Sequence, residues 1–288
     1  MFTVVGKQSL NSITKRLDIR ADDLVTRMRP GQFVTIMVDT FSRLMPFNIY
    51  DIDWRRKCLS IVFQETDEAS RKLGELRINA SLFSVKGPYG KACSTDQKGT
   101  VLFIGEGMGL ASLVSLCRSF KEAKNKVIGI AGFESRKSSL LENQMRLYCN
   151  KFYVVYGDGT QERKGDIIAP LKKVLEEEKI VEIYAHATPA MLQEIYYLAW
   201  SANLPLKVNI MDLLEERPAF FDTTFVSFKG ERYYPAVDGI FVDAAKMDIH
   251  ELTAESAALR EYTACRKRES ALLAQRNVFA RLKKFVWG

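Results

Sequence analysis

The apolar pattern of this chain changes near residue 99, and that change limits the possible folds more than any other feature. Before it, short runs such as 32–38 and 58–63 alternate apolar and polar side chains with period two, and turn residues separate them. After it, continuous apolar runs alternate with amphipathic stretches of helical length. The runs that we expect to be strands are 100–104, 126–132, 152–156, 182–185 and 206–210. The pattern predicts an antiparallel β-barrel followed by a parallel-sheet α/β domain with right-handed crossovers, the architecture of nucleotide-binding domains.

The length of 288 residues fits about two domains of ordinary size, together with shorter segments at the end. A turn at Lys229-Gly230 lies among aromatic and β-branched residues, and the last stretch has neither glycine nor proline between 254 and 287, which indicates one long helix. We therefore divide the chain into a barrel (1–98), an α/β domain (99–211), a short third segment (212–248) and a basic amphipathic helical tail (249–288).

Charge and cysteine usage indicate the cellular setting. The net charge is +7, but 251–288 alone carries +4, so the bulk is nearly neutral and a nucleic-acid-binding role is disfavoured. Five scattered cysteines are typical of reduced thiols, and no apolar run approaches the length of a transmembrane helix. We expect a cytoplasmic protein without an integral membrane segment.

A glycine-rich turn follows the first strand of the α/β half. The apolar run 101–104 leads into Gly105, Gly107 and Gly109, and a helical stretch begins there. Glycines at such a turn let the backbone approach a pyrophosphate, and a helix N-terminus supplies N–H groups for it. The spacing is G-x-G-x-G and differs from the usual G-x-G-x-x-G fingerprint, so a tight turn without any ligand remains the alternative.

Motifs in the barrel half strengthen the nucleotide interpretation. Arg29-Pro-Gly-Gln-Phe33, Met45-Pro-Phe-Asn-Ile49 and Gly87-Pro-Tyr-Gly90 precede the glycine-rich turn in that order. At these positions the sequence resembles the ferredoxin-reductase-like flavoproteins. Among them it is most similar to the FAD- and NAD-binding subunit of NADH-dependent reduced ferredoxin:NADP oxidoreductase and to the electron-transfer subunit of dihydroorotate dehydrogenase. The likeness extends from about residue 2 to residue 248.

The resemblance implies a Greek-key FAD-binding barrel and a Rossmann-like NAD(P)-binding domain. It places FAD along the second barrel motif, at a helix start near Ser70 and beside the third motif. The family has an arginine directly before Pro46, whereas this chain has Arg43, and Asp67 and Glu68 put negative charge where a diphosphate would lie. The residues that the resemblance assigns to FAD are Pro46, Phe47, Asn48, Ile49, Ser70, Gly87, Tyr89 and Gly90.

The resemblance also implies a bound NAD(H) or NADP(H). The sequence leaves open which of the two binds, because Glu134 favours a ribose hydroxyl and Arg136 favours a phosphate. The third alternative is that these residues form a solvated turn and contact no nucleotide. His186 stands where the family has a Cys-Gly-Pro motif. We interpret it as a strand-end histidine rather than a catalytic base, since hydride transfer to flavin needs neither an acid nor a base from the protein at that point. We assign no catalytic and no metal-ligating residue. The residues expected at the nicotinamide nucleotide are Gly105, Gly107, Met108, Gly109, Ala111, Asp158, Gly159 and Met191.

In the third segment the family carries a [2Fe–2S] cluster on cysteines. Counting back from Val237-Asp-Gly239, the matching positions here are Glu216, Phe221, Thr224 and Ala236. A cluster needs thiolate ligands, so we expect a vestigial subdomain without a cluster, in which Phe220 and Phe221 fill the space.

Together these features predict a flavoprotein subunit that passes electrons between NAD(P)H and a partner redox subunit, a larger flavin or iron–sulfur protein. The alternative is a degenerate structural or regulatory paralogue in a redox complex, with one or both nucleotide sites empty. The tail is interpreted as a docking helix, and contact with a membrane surface or RNA is its alternative.

Overall fold

The computed structural model of the chain describes residues 2–157, 166–215 and 224–249. Its first half contains antiparallel sheets with the strand orders β5-β6-β2-β1-β7 and β4-β3-β8. The strands are β1 (Phe2–Ser9), β2 (Thr14–Arg20), β3 (Phe33–Met37), β4 (Met45–Asn48), β5 (Asp51–Asp53), β6 (Cys58–Gln64), β7 (Ser81–Leu82) and β8 (Ser84–Tyr89). The helices of this half are α1 (Asp22–Arg27) and α2 (Glu68–Glu75).

These sheets enclose one apolar core, as the period-two pattern predicts. Buried side chains from both sheets meet there, among them Leu17, Ile36 and Ile61, and Leu73 of α2 packs onto them. The start of α2 is a reciprocal cap, because the Asp67 carboxylate accepts from the Ser70 N–H while the Ser70 hydroxyl accepts from the Asp67 N–H. The cap fixes the residue at which α2 begins.

The second half is a sheet of order β11-β10-β9-β12-β13-β16 flanked by helices. Neighbouring strands from β11 to β13 are parallel, so the predicted barrel plus Rossmann-like architecture is confirmed. Each strand predicted here is present, with ends that differ by one or two residues. The strands are β9 (Thr100–Glu106), β10 (Lys126–Phe133), β11 (Lys151–Tyr156), β12 (Ile180–His186) and β13 (Leu206–Asn209). The helices are α3 (Gly109–Glu122), α4 (Glu142–Tyr148), α5 (Ile168–Glu177), α6 (Pro189–Ser201) and α7 (Met211–Glu215), with a 3₁₀ turn at Arg136–Ser138.

A column of aromatic rings crosses this sheet. Phe103 of β9 stacks on Tyr184 of β12 with ring centroids 5.3 Å apart, and Phe120 of α3 packs on both rings. Tyr184 in turn contacts Phe241 edge to face at 5.7 Å. Val101 and Phe103 of β9 pack with side chains of α3, and Leu102 and Ile104 pack with side chains of α5 and α6. Both faces of β9 are therefore covered, which explains its uninterrupted apolar sequence.

The last described segment contains β14 (Val226–Phe228), β15 (Glu231–Tyr233), α8 (Pro235–Asp238), β16 (Phe241–Asp243) and a 3₁₀ turn (Ala244–Lys246). The predicted turn at Lys229-Gly230 is confirmed, since Phe228 pairs with Glu231 and both turn residues have positive φ. The sequence did not predict β16, which adds antiparallel to β13 and so extends the sheet of the α/β half. The division of the chain at residue 211 stays a proposal, and α7 spans it.

Some predicted features fall outside the described residues. The tail beyond residue 249 is one of them, and so are Glu216, Phe220 and Phe221. Among the helices that the structure describes, none has the length and apolarity needed to cross a membrane.

Candidate functional site

A cavity of about 330 Å³ lies where the barrel meets the α/β half. This volume falls in the range of small-molecule sites. Residues that the sequence assigned to FAD and to the nicotinamide nucleotide meet in its lining. These are Pro46, Phe47, Asn48, Ser70, Met108 and Ala111.

The barrel side of the cavity is built by β4 and β6. Met45 and Phe63 are buried and present apolar surface, while Asn48 supplies an amide. The Asn48 Oδ1 accepts a 3.0 Å hydrogen bond from Nδ2 of Asn209 at the end of β13. With Oδ1 engaged, the donor that Asn48 can offer to a ligand is its Nδ2 amide. The bond also ties the cavity wall of the barrel to the parallel sheet.

The opposite side of the cavity is the turn between β9 and α3. Gly107 has φ of +53°, and no heavy atom in the described part of the chain lies within 4 Å of where its Cβ would stand. A positive φ and open space beside the backbone are what a close approach to a phosphate requires, although Gly107 itself is not in the cavity lining. A Cβ on Gly109, in contrast, would stand 2.2 Å from the carbonyl oxygen of His186. Gly107 therefore leaves room beside the backbone of the turn, and Gly109 lets α3 lie close to β12.

A charged cluster lies at the start of α2. Oδ2 of Asp67 accepts from Nε and Nη2 of Arg43 at 2.9 and 2.6 Å, and Oδ1 accepts from the backbone N and the hydroxyl of Ser70, each at 2.7 Å. Partial burial opposes ionisation of Asp67, but the hydrogen bonds from Ser70 and Arg43 outweigh it and hold its pKa below the ordinary value. Arg43, Thr66 and Ser70 line the cavity at this place.

His186 forms a second polar cluster in the lining, at the carboxyl end of β12. Its ring is buried, with Nδ1 2.8 Å from the Ser112 hydroxyl and Nε2 3.1 Å from Oδ1 of Asp212. A carboxylate only accepts, so the contact with Asp212 places a proton on Nε2. The single hydroxyl proton of Ser112 serves either His186 or the carbonyl oxygen of Gly109, 2.8 Å away. These contacts hold the imidazole in one orientation at the cavity wall, as befits a strand-end residue.

Other residues of the predicted set lie near the cavity but not in its lining. Gly87 and Tyr89 lie in β8, and Gly90 directly follows it. Tyr89 packs on Phe33 of β3, and the Gly90 N–H donates to the carbonyl oxygen of Ala236 in the last segment. Their expected role in shaping the flavin site stays a prediction.

The carbonyl oxygen of Ile49 accepts from the Ser115 hydroxyl of α3, and Met191 packs against the core of the α/β half. Gly105 is the last residue but one of β9 and pairs with Ala131 of β10 and His186 of β12. Asp158 and Gly159 lie outside the described residues.

Several lining residues were not assigned to a ligand from the sequence. Burial raises the pKa of Tyr50 to about 12, so its phenol stays protonated at neutral pH. Asp212 joins the site because α7 packs on β4, a contact between segments far apart in the chain. The lining residues that the sequence did not assign to a ligand are Arg43, Met45, Tyr50, Val62, Phe63, Gln64, Thr66, His186 and Asp212.

The turn after β10, where NADH and NADPH would be distinguished, is a capped 3₁₀ turn. Ser135 and Ser138 cap each other, and the side chains of Glu134 and Arg136 lie exposed to solvent. The choice between the two nucleotides therefore stays open. Within the described residues, no group of three or more histidine, cysteine or acidic side chains is arranged to hold a metal ion.

The chain was compared with known proteins. No family's sequence profile matches it. It is 22% identical over 266 residues to the electron-transfer subunit homologue of dihydroorotate dehydrogenase B from Thermotoga maritima, covering 89% of this chain and 94% of that protein. It is 28% identical over 206 residues to the electron-transfer subunit of the same enzyme from Listeria monocytogenes, covering 70% and 77%.

Its structure is similar to that of NADH-dependent reduced ferredoxin-NADP oxidoreductase, with a TM-score of 0.81, 20% identity and coverage of 94% of this chain and 98% of that one. These likenesses confirm the ferredoxin-reductase-like fold predicted from the sequence. The loss of the iron–sulfur ligands stays a prediction.

Proposed function

We propose that this chain, a homologue of electron-transfer subunits, is a flavoprotein oxidoreductase subunit that passes electrons between NAD(P)H and a partner redox subunit through FAD. The observation that carries the proposal is the cavity between the barrel and the α/β half. Some sequence motifs were assigned to flavin and others, far apart from them in the chain, to nicotinamide nucleotide. Residues from both sets line this one cavity.

The cavity lining suits a flavin ring. Met45, Phe47 and Phe63 supply apolar and aromatic surface, while Asn48 supplies an amide donor for a ring oxygen or nitrogen. When bound, the flavin supplies the redox chemistry, and the protein contributes binding, orientation and exclusion of water. At the other end of the ligand, Arg43 and Ser70 would hold phosphate, but Asp67 already engages both.

The turn between β9 and α3 suits the nicotinamide nucleotide. Gly107 leaves room for a pyrophosphate, and Met108 and Ala111 bring this turn to the cavity wall. A nucleotide held there would bring its nicotinamide to the flavin side of the cavity, and such positioning is the main contribution of the protein to hydride transfer. His186 and its partners would form a fixed polar wall that orients the nicotinamide ring.

The proposal includes a larger flavin or iron–sulfur partner that takes up or supplies the electrons. We expect no [2Fe–2S] group in this chain. The FAD would therefore have to lie close to a redox centre of the partner to exchange electrons with it. A cytoplasmic location agrees with the free thiols of the four cysteines in the described part of the chain. The tail after residue 249 is our candidate docking element.

The first experiment is an absorption spectrum of the purified full chain between about 300 and 600 nm, taken anaerobically before and after NADH or NADPH, with an iron assay. We expect a flavin spectrum that bleaches with at least one nucleotide, and no iron. Stoichiometric iron would show that the cluster was wrongly excluded. A colourless protein that gains no colour with added FAD would overturn the flavin proposal.

The second candidate is a structural or regulatory subunit with empty nucleotide sites. The ion pair between Arg43 and Asp67 favours it, since an internal carboxylate holds a cation that a phosphate would need. A colourless chain that copurifies in fixed ratio with a redox partner would support this candidate.

Replacing Gly107 with valine tests the assignment of the glycine turn. The side chain would fill the space left for the pyrophosphate, so we expect nicotinamide nucleotide binding to weaken by at least about 100-fold while flavin content is unchanged. Nucleotide binding is measured by titration of NADH fluorescence, and flavin content by absorbance after gel filtration.

Gly230→Val is the matched control. Gly230 also has a positive φ, +79°, and no described atom lies within 4 Å of its Cβ position, but it sits in the β14–β15 turn. Both substitutions force valine into left-handed backbone, which costs about 1–2 kcal/mol, so only Gly107→Val should affect the nucleotide. Equal losses in the two variants would mean that backbone strain, not a phosphate site, explains the result.

A further inference from the structure

The Arg43–Asp67–Ser70 cluster holds an anion that belongs to the chain itself. The Asp67 carboxylate receives the guanidinium of Arg43 on one oxygen and the N–H and hydroxyl of Ser70 on the other. A guanidinium and the first N–H groups of a helix are the donors that proteins use to hold phosphate oxygens. The carboxylate therefore occupies a set of donors suited to a phosphate.

The cavity has a polarity that orients a flavin nucleotide. Its charged lining groups lie at two places, Arg43 at the start of α2 and Asp212 beside His186. At the second place the exposed Asp212 carboxylate contacts His186 and would repel an anion. Among the described residues that line the cavity, Arg43 carries a permanent positive charge, so the phosphate of a flavin nucleotide would point toward Arg43.

A phosphate and the Asp67 carboxylate cannot share Arg43 without strong repulsion, because both are anions a few ångströms apart. Asp67 is ionised at neutral pH, since its neighbours lower its pKa. Its side chain and that of Arg43 are partly exposed, at 30% and 46%, so the ion pair can open.

We propose that Asp67 is a specificity-determining residue of this cavity: an internal anion that a phosphorylated flavin has to displace from Arg43. The inference rests on the proposed flavin function and goes beyond it in one respect. The flavin ring binds independently of Asp67, whereas the phosphate-bearing part of FMN or FAD competes with it.

The test is Asp67→Asn, with riboflavin, FMN and FAD titrated against flavin-free full-length protein by quenching of flavin fluorescence. Asparagine caps a helix as well as aspartate, so α2 keeps its start while Arg43 loses its charged partner. We expect the dissociation constants of FMN and FAD to fall about tenfold, and that of riboflavin, which has no phosphate, to change less than about twofold.

Glu68→Gln is the matched control, because it removes the same charge one residue along. The Glu68 side chain is exposed and pairs with Lys72 at 3.4 Å. This variant should change all three affinities by less than about twofold. In the double variant Asp67→Asn, Arg43→Gln, the tenfold gain for FMN and FAD should disappear, since it depends on the released guanidinium.

Three results would overturn the inference while the flavin function stands: an equal gain for riboflavin, an equal gain in Glu68→Gln, or a gain that survives Arg43→Gln. If neither the natural chain nor Asp67→Asn binds any of the three flavins, the proposed function itself fails and the inference fails with it. Thermal unfolding of each variant confirms that the fold is retained.

Discussion

Phe103→Ala should lower the free energy of unfolding by about 4 kcal/mol. The Phe103 ring is fully buried on β9 and packs on Phe120 and Tyr184, so its removal leaves a cavity between a strand and a helix that cannot close. Tyr184 also loses its stacking partner while it remains in contact with Phe241 of β16. The damage therefore spreads across the sheet from α3 to its last strand.

Urea unfolding followed by circular dichroism measures this loss. Phe41→Ala is the control, because that ring is 92% exposed and its removal should change stability by no more than about 0.5 kcal/mol. A loss below about 1.5 kcal/mol for Phe103→Ala would mean that the surrounding rings can collapse into the space.

Gly109→Ala is expected to have the second largest effect, a net destabilisation of about 2 kcal/mol. Gly109 is the first residue of α3, so the preference of alanine over glycine in a helix interior, about 1 kcal/mol, does not offset this cost. The added Cβ would lie 2.2 Å from the His186 carbonyl oxygen, where about 3.5 Å is an ordinary contact. That oxygen belongs to the backbone of β12 and cannot rotate away, so α3 and β12 have to separate.

Comparison with Gly107→Ala isolates the packing effect. Gly107 faces open space in the described part of the chain, so alanine there meets only the strain of a positive φ, about 1 kcal/mol. We expect Gly109→Ala to unfold at lower urea than Gly107→Ala and to bind flavin more weakly, because His186 lines the cavity. The reverse order of midpoints would contradict the close packing of α3 on β12.

Local sequence patterns predicted most of the fold. The apolar run before Gly105 became the central strand β9, because a strand covered on both faces has to be apolar at every position. The turn at Lys229-Gly230 followed from its glycine and its short spacing. Such signals are contained within a few residues, so one sequence is enough to identify them.

Long-range contacts carried no comparable signal. Asn48 and Asn209 are 161 residues apart, and neither residue by itself indicates that they share a hydrogen bond across the cavity. The contact of His186 with Asp212 and the pairing of Arg43 with Asp67 depend in the same way on how α7 and α2 are placed by the tertiary fold. The sequence marked Asp67 as out of place beside a phosphate, but only the structure identifies its partner.

The pairing of β13 with β16 determines where the chain can be cut. A fragment that stops at residue 211 would keep every predicted nucleotide-binding motif but would lose β16, leaving the backbone groups of 207–209 without their strand partners. An uncovered strand of this kind is a template for intermolecular β-pairing, so such a fragment should aggregate. It would also loosen Asn209 and, with it, the wall that Asn48 forms. The last described segment is therefore an integral part of the α/β half, and a shortened protein that stays monodisperse has to extend at least to Asp243.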